Sequence, residues 1–432
     1  MNQYIFKSSH KTTLIGAILI GLICMVLTYM GDDQFHTRFW SNVLHNATFF
    51  TMTSAMALFF LAVCITAYAG WYTTFKRVWE AYASFLVVGM GLLLVVGLGV
   101  YMHWHHLYHW SDEASVTKDA VLSGKSGFLN KNWYFFGTLI FLGLWAFIGY
   151  RLRSLSLLED KEGNSNYAQH KSMKVYAAAL LPIIGFTSAA LIWLWIMSVD
   201  AHWYSTMFAW YTTASAFVSM MALTIMLIIF LKSNGYLNEV NENHIHDLGK
   251  YLFAISIFWT YLWFSQYMLI WYANIGEETI YFKERYNNYS LLFFGNLAIN
   301  FLVPFFILMR NDTKRKNGSM VLVSAILLVG HWLDYFLMIK PGALITRNEA
   351  LAHAGHSEAG HGIDHAVEDV TGHGEHISTF VSGYTLPGFL ELGTFLGFLG
   401  LFMYVTLWSL SRAALVPKND PYLEESLHHH VV

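Results

Sequence analysis

The chain has 432 residues, of which 56% are hydrophobic, 17% aromatic and only 12% charged. A soluble globular chain carries about 25% charged residues, so too few polar groups are present here to cover a water-facing surface. Composition therefore excludes a soluble globular enzyme. It also excludes a disordered chain, which needs low hydrophobicity and high net charge. Lys plus Arg is 25 against 28 for Asp plus Glu, leaving no basic excess for nucleic acid. The class that remains is an all-α polytopic membrane protein.

A membrane-crossing helix needs about 20 mainly apolar residues. Ten segments meet that length, at about 12–30, 43–69, 83–104, 133–150, 176–197, 204–231, 251–274, 289–309, 319–339 and 386–410. The first reads as a retained helix rather than a cleaved leader, because its apolar run is too long and no small-x-small site follows Met30. Orientation follows from Lys and Arg by loop parity. Both ends and the even-numbered connections hold 17 of them and the odd-numbered connections 8, which predicts cytoplasmic termini. Segments 2–5 and 6–9 can be read as two four-helix units flanked by segments 1 and 10. Trp40 with Thr51–Ala57 and Trp203 with Thr212–Ala216 open the two units with similar aromatic and small residues.

Two cysteines, Cys24 and Cys64, each sit in an apolar stretch. Iron–sulfur clusters take about four thiolates and c-type haem takes C-x-x-C-H. The sequence therefore predicts no such redox centre in this chain, and the cysteines read as small buried hydrophobes. The connection 340–385 contains His353, His356, His361 and His365 among carboxylates and glycines. Histidines of this kind can ligate zinc or copper, but no fixed ligand spacing exists, and a solvated or partner-covering loop is the preferred reading over a metal site. Residues 411–432 read as a cytoplasmic tail.

An ionisable group in hydrocarbon costs about 3 kcal/mol or more, so the few inside apolar segments carry information. His331 and Asp334 lie at i and i+3 in segment 9, on one helix face. An imidazole and a carboxylate so placed can carry protons; a helix–helix packing bond is the other reading. Glu391 lies about one and a half turns into segment 10, at a depth similar to Asp334, where the two could exchange a proton directly or through water; a Glu391 that only faces headgroups is the equal alternative. Asp200 and His202 occupy the short connection between segments 5 and 6, where Asp200 also suits a helix N-cap. Together these groups suggest a proton exit or a quinone headgroup site at the outer ends.

The stretches His246–Phe253 (HDLGKYLF) and Phe258–Thr279 (FWTYLWFSQYMLIWYANIGEET), with Ser198–Tyr211 and its Asp200-x-His202-Trp203-Tyr204-Ser205-Thr206 core, resemble the membrane subunits of alternative complex III, a bacterial quinol:cytochrome c oxidoreductase. The likeness runs from the first segment to the tenth. That complex has two such subunits, both NrfD-like (polysulfide-reductase-type), and this shorter chain is similar to the smaller, ActF-type one. The resemblance implies ten helices in two four-helix bundles plus two peripheral helices. It further implies a scaffold of the oxidoreductase with a proton path in the bacterial cytoplasmic membrane, not itself the electron-transferring subunit. Partners so implied are multihaem cytochrome c, iron–sulfur and other NrfD-like membrane subunits, a cytochrome oxidase, and lipids. Haem c and iron–sulfur clusters would sit on those partners, this chain would bind no redox cofactor of its own, and a quinone would be its one possible ligand. Gln266 in the signature segment joins Asp200, His202, His331, Asp334 and Glu391 as a proton-path candidate. Two further readings stay open, a quinol-binding subunit proper and an independent secondary transporter.

Overall fold

A computed structural model describes residues 3–163, 166–358 and 380–430. The protein is an all-α polytopic membrane protein, and among the described residues ten helices are long and apolar enough to cross a bilayer. They are α1 (Ser8–Met30), α2 (Thr37–Thr66), α3 (Thr73–Tyr101), α4 (Trp133–Glu162), α5 (Ala168–Val199), α6 (Thr206–Ser233), α7 (Glu242–Ala273), α8 (Ser290–Leu308), α9 (Asn317–Ala352) and α10 (Phe389–Leu410). An even number of crossings puts both chain ends on one face. Gln3 indeed bridges to Ala414 there. This is the terminal face, and the opposite one is the distal face.

Each of two consecutive sets of four helices closes into a ring. In the first, α2 packs on α3, α3 on α4, α4 on α5 and α5 back on α2; in the second, α6 packs on α7, α7 on α8, α8 on α9 and α9 back on α6. The sets meet where α2 touches α6 and α9 and where α5 touches α6. α2 and α6 are therefore the central pair, with 89% and 83% of their apolar windows buried, against 11% for the peripheral α1. Being buried, α2 tolerates hydroxyl residues at many turns. Thr48, Thr53 and Ser54 satisfy theirs on the carbonyls of Leu44, Phe49 and Phe50 four residues back.

α1 and α10 form a separate pair on the outside. Their contact is set by small residues, as in other membrane helix pairs. A Cβ added at Gly397 would lie 2.5 Å from the Gly21 Cα, and one at Gly400 would lie 3.0 Å from the Ala17 Cβ. Cys24 is packed against Gly393 in this seam, and Cys64 is buried in the first bundle.

The ninth crossing is longer than its sequence suggests. The helix continues beyond 339 through Pro341 to Glu358, so the first part of the segment 340–385 is helical; residues 359–379 lie outside the described ones. A proline removes the N–H that would bind the carbonyl four residues earlier. Here that carbonyl, Leu337, accepts from Arg285 Nε at 3.2 Å instead, so the helix need not end. The 411–430 segment is no free tail. Leu415, Val416, Asp420 and Ser426 are buried, and it packs on the terminal face through the short helix Leu423–Leu427.

Candidate functional site

Asp334 lies within α9 at 1% exposure, facing the interior of the second bundle. Three donors from three other helices converge on its carboxylate. Tyr211 of α6 donates its hydroxyl to Oδ1, Trp259 of α7 donates its indole N–H to Oδ2 at 2.9 Å, and Asn296 of α8 donates to Oδ1 at 2.8 Å. A carboxylate can be retained at such a depth only with this kind of hydrogen bonding. Asn300 extends the chain by donating to Asn296 Oδ1 at 2.6 Å. Asn300 lies in the π-helical turn Ala298–Leu302, the irregularity that often marks a functional site. Gly330 makes room for it, since a Cβ there would overlap the Asn300 side-chain oxygen.

Beside Asp334 is a cavity of about 20 Å³, lined also by Tyr211, Gln266, Tyr281, Arg285 and Asn296 and walled by Trp263, Phe282 and Phe293. That is room for about one water molecule with several polar partners. Gln266, predicted from the sequence as a polar helper, does face this cavity and donates to Ser205 Oγ at 2.9 Å. Arg285 connects the cavity to the distal face. It lies on the helix Gly276–Asn288, stacks 3.3 Å over the Tyr281 ring and donates to Asp200 Oδ2 at 2.9 Å. Asp200 is thus an ion-pair partner rather than a cap; Ser205 occupies the N-cap position of α6.

The remaining candidates are placed elsewhere. His331 is fully buried, but its Nδ1 pairs with Ser215 at 2.9 Å rather than with Asp334, and its Nε2 has no hydrogen-bond partner. It adjoins the site edge-on to Trp259, the residue that holds Asp334. Glu391 does not face Asp334. Arg38 grips both its oxygens at 2.8 and 2.9 Å, Asn42 adds a bond at 3.1 Å, and the Gly388 N–H adds another at 2.9 Å. The depth match expected from the sequence does not bring the two carboxylates together, because they lie on helices of different groups, α9 in the second bundle and α10 in the outer pair. Near Glu391, Lys340 is fully buried with its ammonium on Ser41 Oγ at 2.8 Å and over the Tyr384 ring.

His202 is half-exposed on the distal surface and pairs with Asp119 of the 105–132 connection. That hydrogen bond holds the Asp119 carboxyl down at about 2. Nearby, the Glu349 carboxylate hydrogen-bonds His109 at 3.0 Å and raises its pKa, whereas burial pushes His105 down to about 4. Of the four loop histidines, His361 and His365 lie outside the described residues, and the side chains of His353 and His356 are likewise not among them.

Sequence reasoning missed Tyr211, Trp259, Asn296 and Arg285. The first three are neutral polar residues on three helices and carry no signal until the bundle closes around them, while Arg285 was counted only for orientation. Arg38 and Lys340 were legible as charges near apolar segments but were counted only for orientation. No protein-family model matches the chain, and no curated protein aligns significantly with it.

Proposed function

We propose that this protein is the smaller, NrfD-like membrane subunit of a bacterial quinol:cytochrome c oxidoreductase of the alternative complex III type, and that it handles protons at Asp334. The resemblance of residues 198–211, 246–253 and 258–279 to the membrane subunits of that complex supports the assignment. So does the agreement between its implied layout and the two rings of four helices with an outer pair. The observation that carries the proton role is the Asp334 carboxylate, buried at mid-bundle and bonded by three donors beside a water-sized cavity. Such a carboxylate can bind a proton delivered through the cavity water and release it toward Gln266, Arg285 and Asp200. The Lys and Arg distribution favours the terminal face as cytoplasmic, which makes this the periplasmic half of a path. A cavity of about 20 Å³ does not admit a quinone ring, and this favours proton handling over quinol binding at Asp334.

Two measurements test the proposal. Purified under mild detergent, the chain should run with multihaem cytochrome c and iron–sulfur subunits; isolation as a lone chain refutes the assignment. In the reconstituted complex, Asp334→Asn should lower proton release coupled to quinol oxidation at least tenfold. Unchanged turnover and unchanged release would leave Asp334 as a packing residue.

A further inference from the structure

At the terminal face, away from the Asp334 cavity, three distant parts of the chain bring together a second buried polar group. Glu159 is in the last turn of α4, His170 in the first turn of α5, and Asp420 in the C-terminal segment. One donor atom from each lies within 4.8 Å of the other two. Their exposures are 1%, 7% and 8%. Most charges around them are matched. Arg77 pairs with Asp160 at 2.7 Å and Glu80 at 3.4 Å, Lys76 pairs with Asp420, and the second oxygen of Asp160 accepts the Lys418 N–H at 2.7 Å. Glu159 and His170 are the exception. Both carboxylate oxygens and both ring nitrogens lack a hydrogen-bond partner, and the nearest approach of the two side chains is 3.8 Å.

Each buried polar atom left unsatisfied costs about 1–3 kcal/mol. Four of them in one small pocket, all of ligand type, are atoms that a bound metal ion would satisfy. We propose that Glu159, His170 and Asp420 bind one divalent transition-metal ion of the zinc class. One imidazole with two carboxylates is a donor set for zinc, manganese or ferrous iron; calcium and magnesium prefer oxygen alone. Asp420 remains competent as a ligand although Lys76 and the Tyr422 N–H already bond it, because a carboxylate has about four lone-pair sites. The ion would lock the C-terminal segment onto α4 and α5, reinforcing the Asn419 bond to the Glu159 carbonyl at 3.1 Å. The site is independent of the proton function proposed above.

The test uses the intact protein with its copurifying subunits, stripped with EDTA and titrated with zinc, or with cobalt as a spectroscopic probe. Because the 353–376 histidines and His428–His430 can also take up metal, the reading is a difference between variants. Wild type should retain one equivalent more than His170→Gln or Glu159→Gln, and zinc affinity at that site should be at least tenfold weaker in each variant. Zinc should also raise the melting temperature of the wild type reversibly and protect residues 411–430 from protease, a comparison that needs no variant. X-ray absorption should report one imidazole among oxygen ligands. Equal metal retention by wild type and variants, no zinc effect on wild-type melting or proteolysis, or a shell of several imidazoles would each overturn the proposal, leaving Glu159 and His170 to share a proton.

Discussion

Arg38 and Glu391 form a two-pronged ion pair between α2 and α10, with Nε on one oxygen at 2.8 Å and Nη2 on the other at 2.9 Å. The pair joins residues 353 positions apart and fastens the outer helix pair to the first bundle. It also assigns Glu391 a structural duty, distinct from that of Asp334.

Arg38→Gln should therefore destabilise the protein. Breaking a buried pair leaves one charge uncompensated at a cost of about 3 kcal/mol, the lower end of the range being apt because solvent reaches part of the Arg38 side chain. Thermal unfolding in detergent measures it. The double variant Arg38→Gln/Glu391→Gln should recover part of the loss, since the orphaned charge is then gone. A double variant no better than the single one would show that the pair is not the seat of the effect.

Gly330→Ala tests the support of Asp334 without touching it. The new methyl would displace Asn300, which holds Asn296, which in turn donates to Asp334. The expected result is proton release reduced several-fold in a protein that still assembles. Gly295→Ala, on the same helix as the asparagines but facing open space, should be without effect. Equal activity in both would disconnect the asparagine chain from function.

His109 supplies a pH dependence on the distal face. The hydrogen bond that His109 donates to Glu349 raises its pKa, so the stabilisation is complete below the ordinary histidine value of about 6.5 and fades as pH rises through the raised value. The stability gap between wild type and Glu349→Gln should thus be present at about pH 5.5 and close in alkaline solution. Titration of His109 by NMR should show a midpoint above the ordinary value in the wild type and a fall in the variant. A gap that widens with pH would contradict the pairing.

Gly397→Val probes the α1–α10 seam. Its Cβ would lie 2.5 Å from the Gly21 Cα, a backbone contact that cannot yield locally. Overpacking of this kind costs about 1–3 kcal/mol, and the same melting assay should show it. Gly16→Ala, on α1 with nothing within 4 Å, should change nothing. A tolerated Gly397→Val would mean that the two helices do not touch there.

Much of the fold was readable because a bilayer imposes a length on apolar runs. Every one of the ten crossings overlaps a stretch of apolar residues in the sequence, although α3 begins at Thr73 rather than 83 and α2 at Thr37 rather than 43. Those helices start early because buried polar residues such as Lys76, Arg77 and Asn42 are matched inside the bundle, which no hydropathy window registers. The extension of the ninth helix through Pro341 was unreadable for a related reason. Its relief comes from Arg285, more than fifty residues away in sequence.

The candidate site was legible as a residue but not as a place. Asp334 stands out in sequence because an ionisable group is costly in hydrocarbon, and Gln266 was singled out only as a polar residue of the signature stretch. Their neighbours Tyr211, Trp259 and Asn296 are ordinary in sequence and are selected only by the packing of α6, α7 and α8 against α9. By itself the sequence determined the membrane, the number of crossings and which buried charges demand partners, since all of these follow from the free energy of single groups in a bilayer. The tertiary structure decided which partners they obtained: Glu391 with Arg38, Asp200 with Arg285, Asp334 with its three donors and a water-sized space. Hydrogen bonds and ion pairs act over about 3 Å, and only the closing of the helices brings residues from distant parts of the chain within that range.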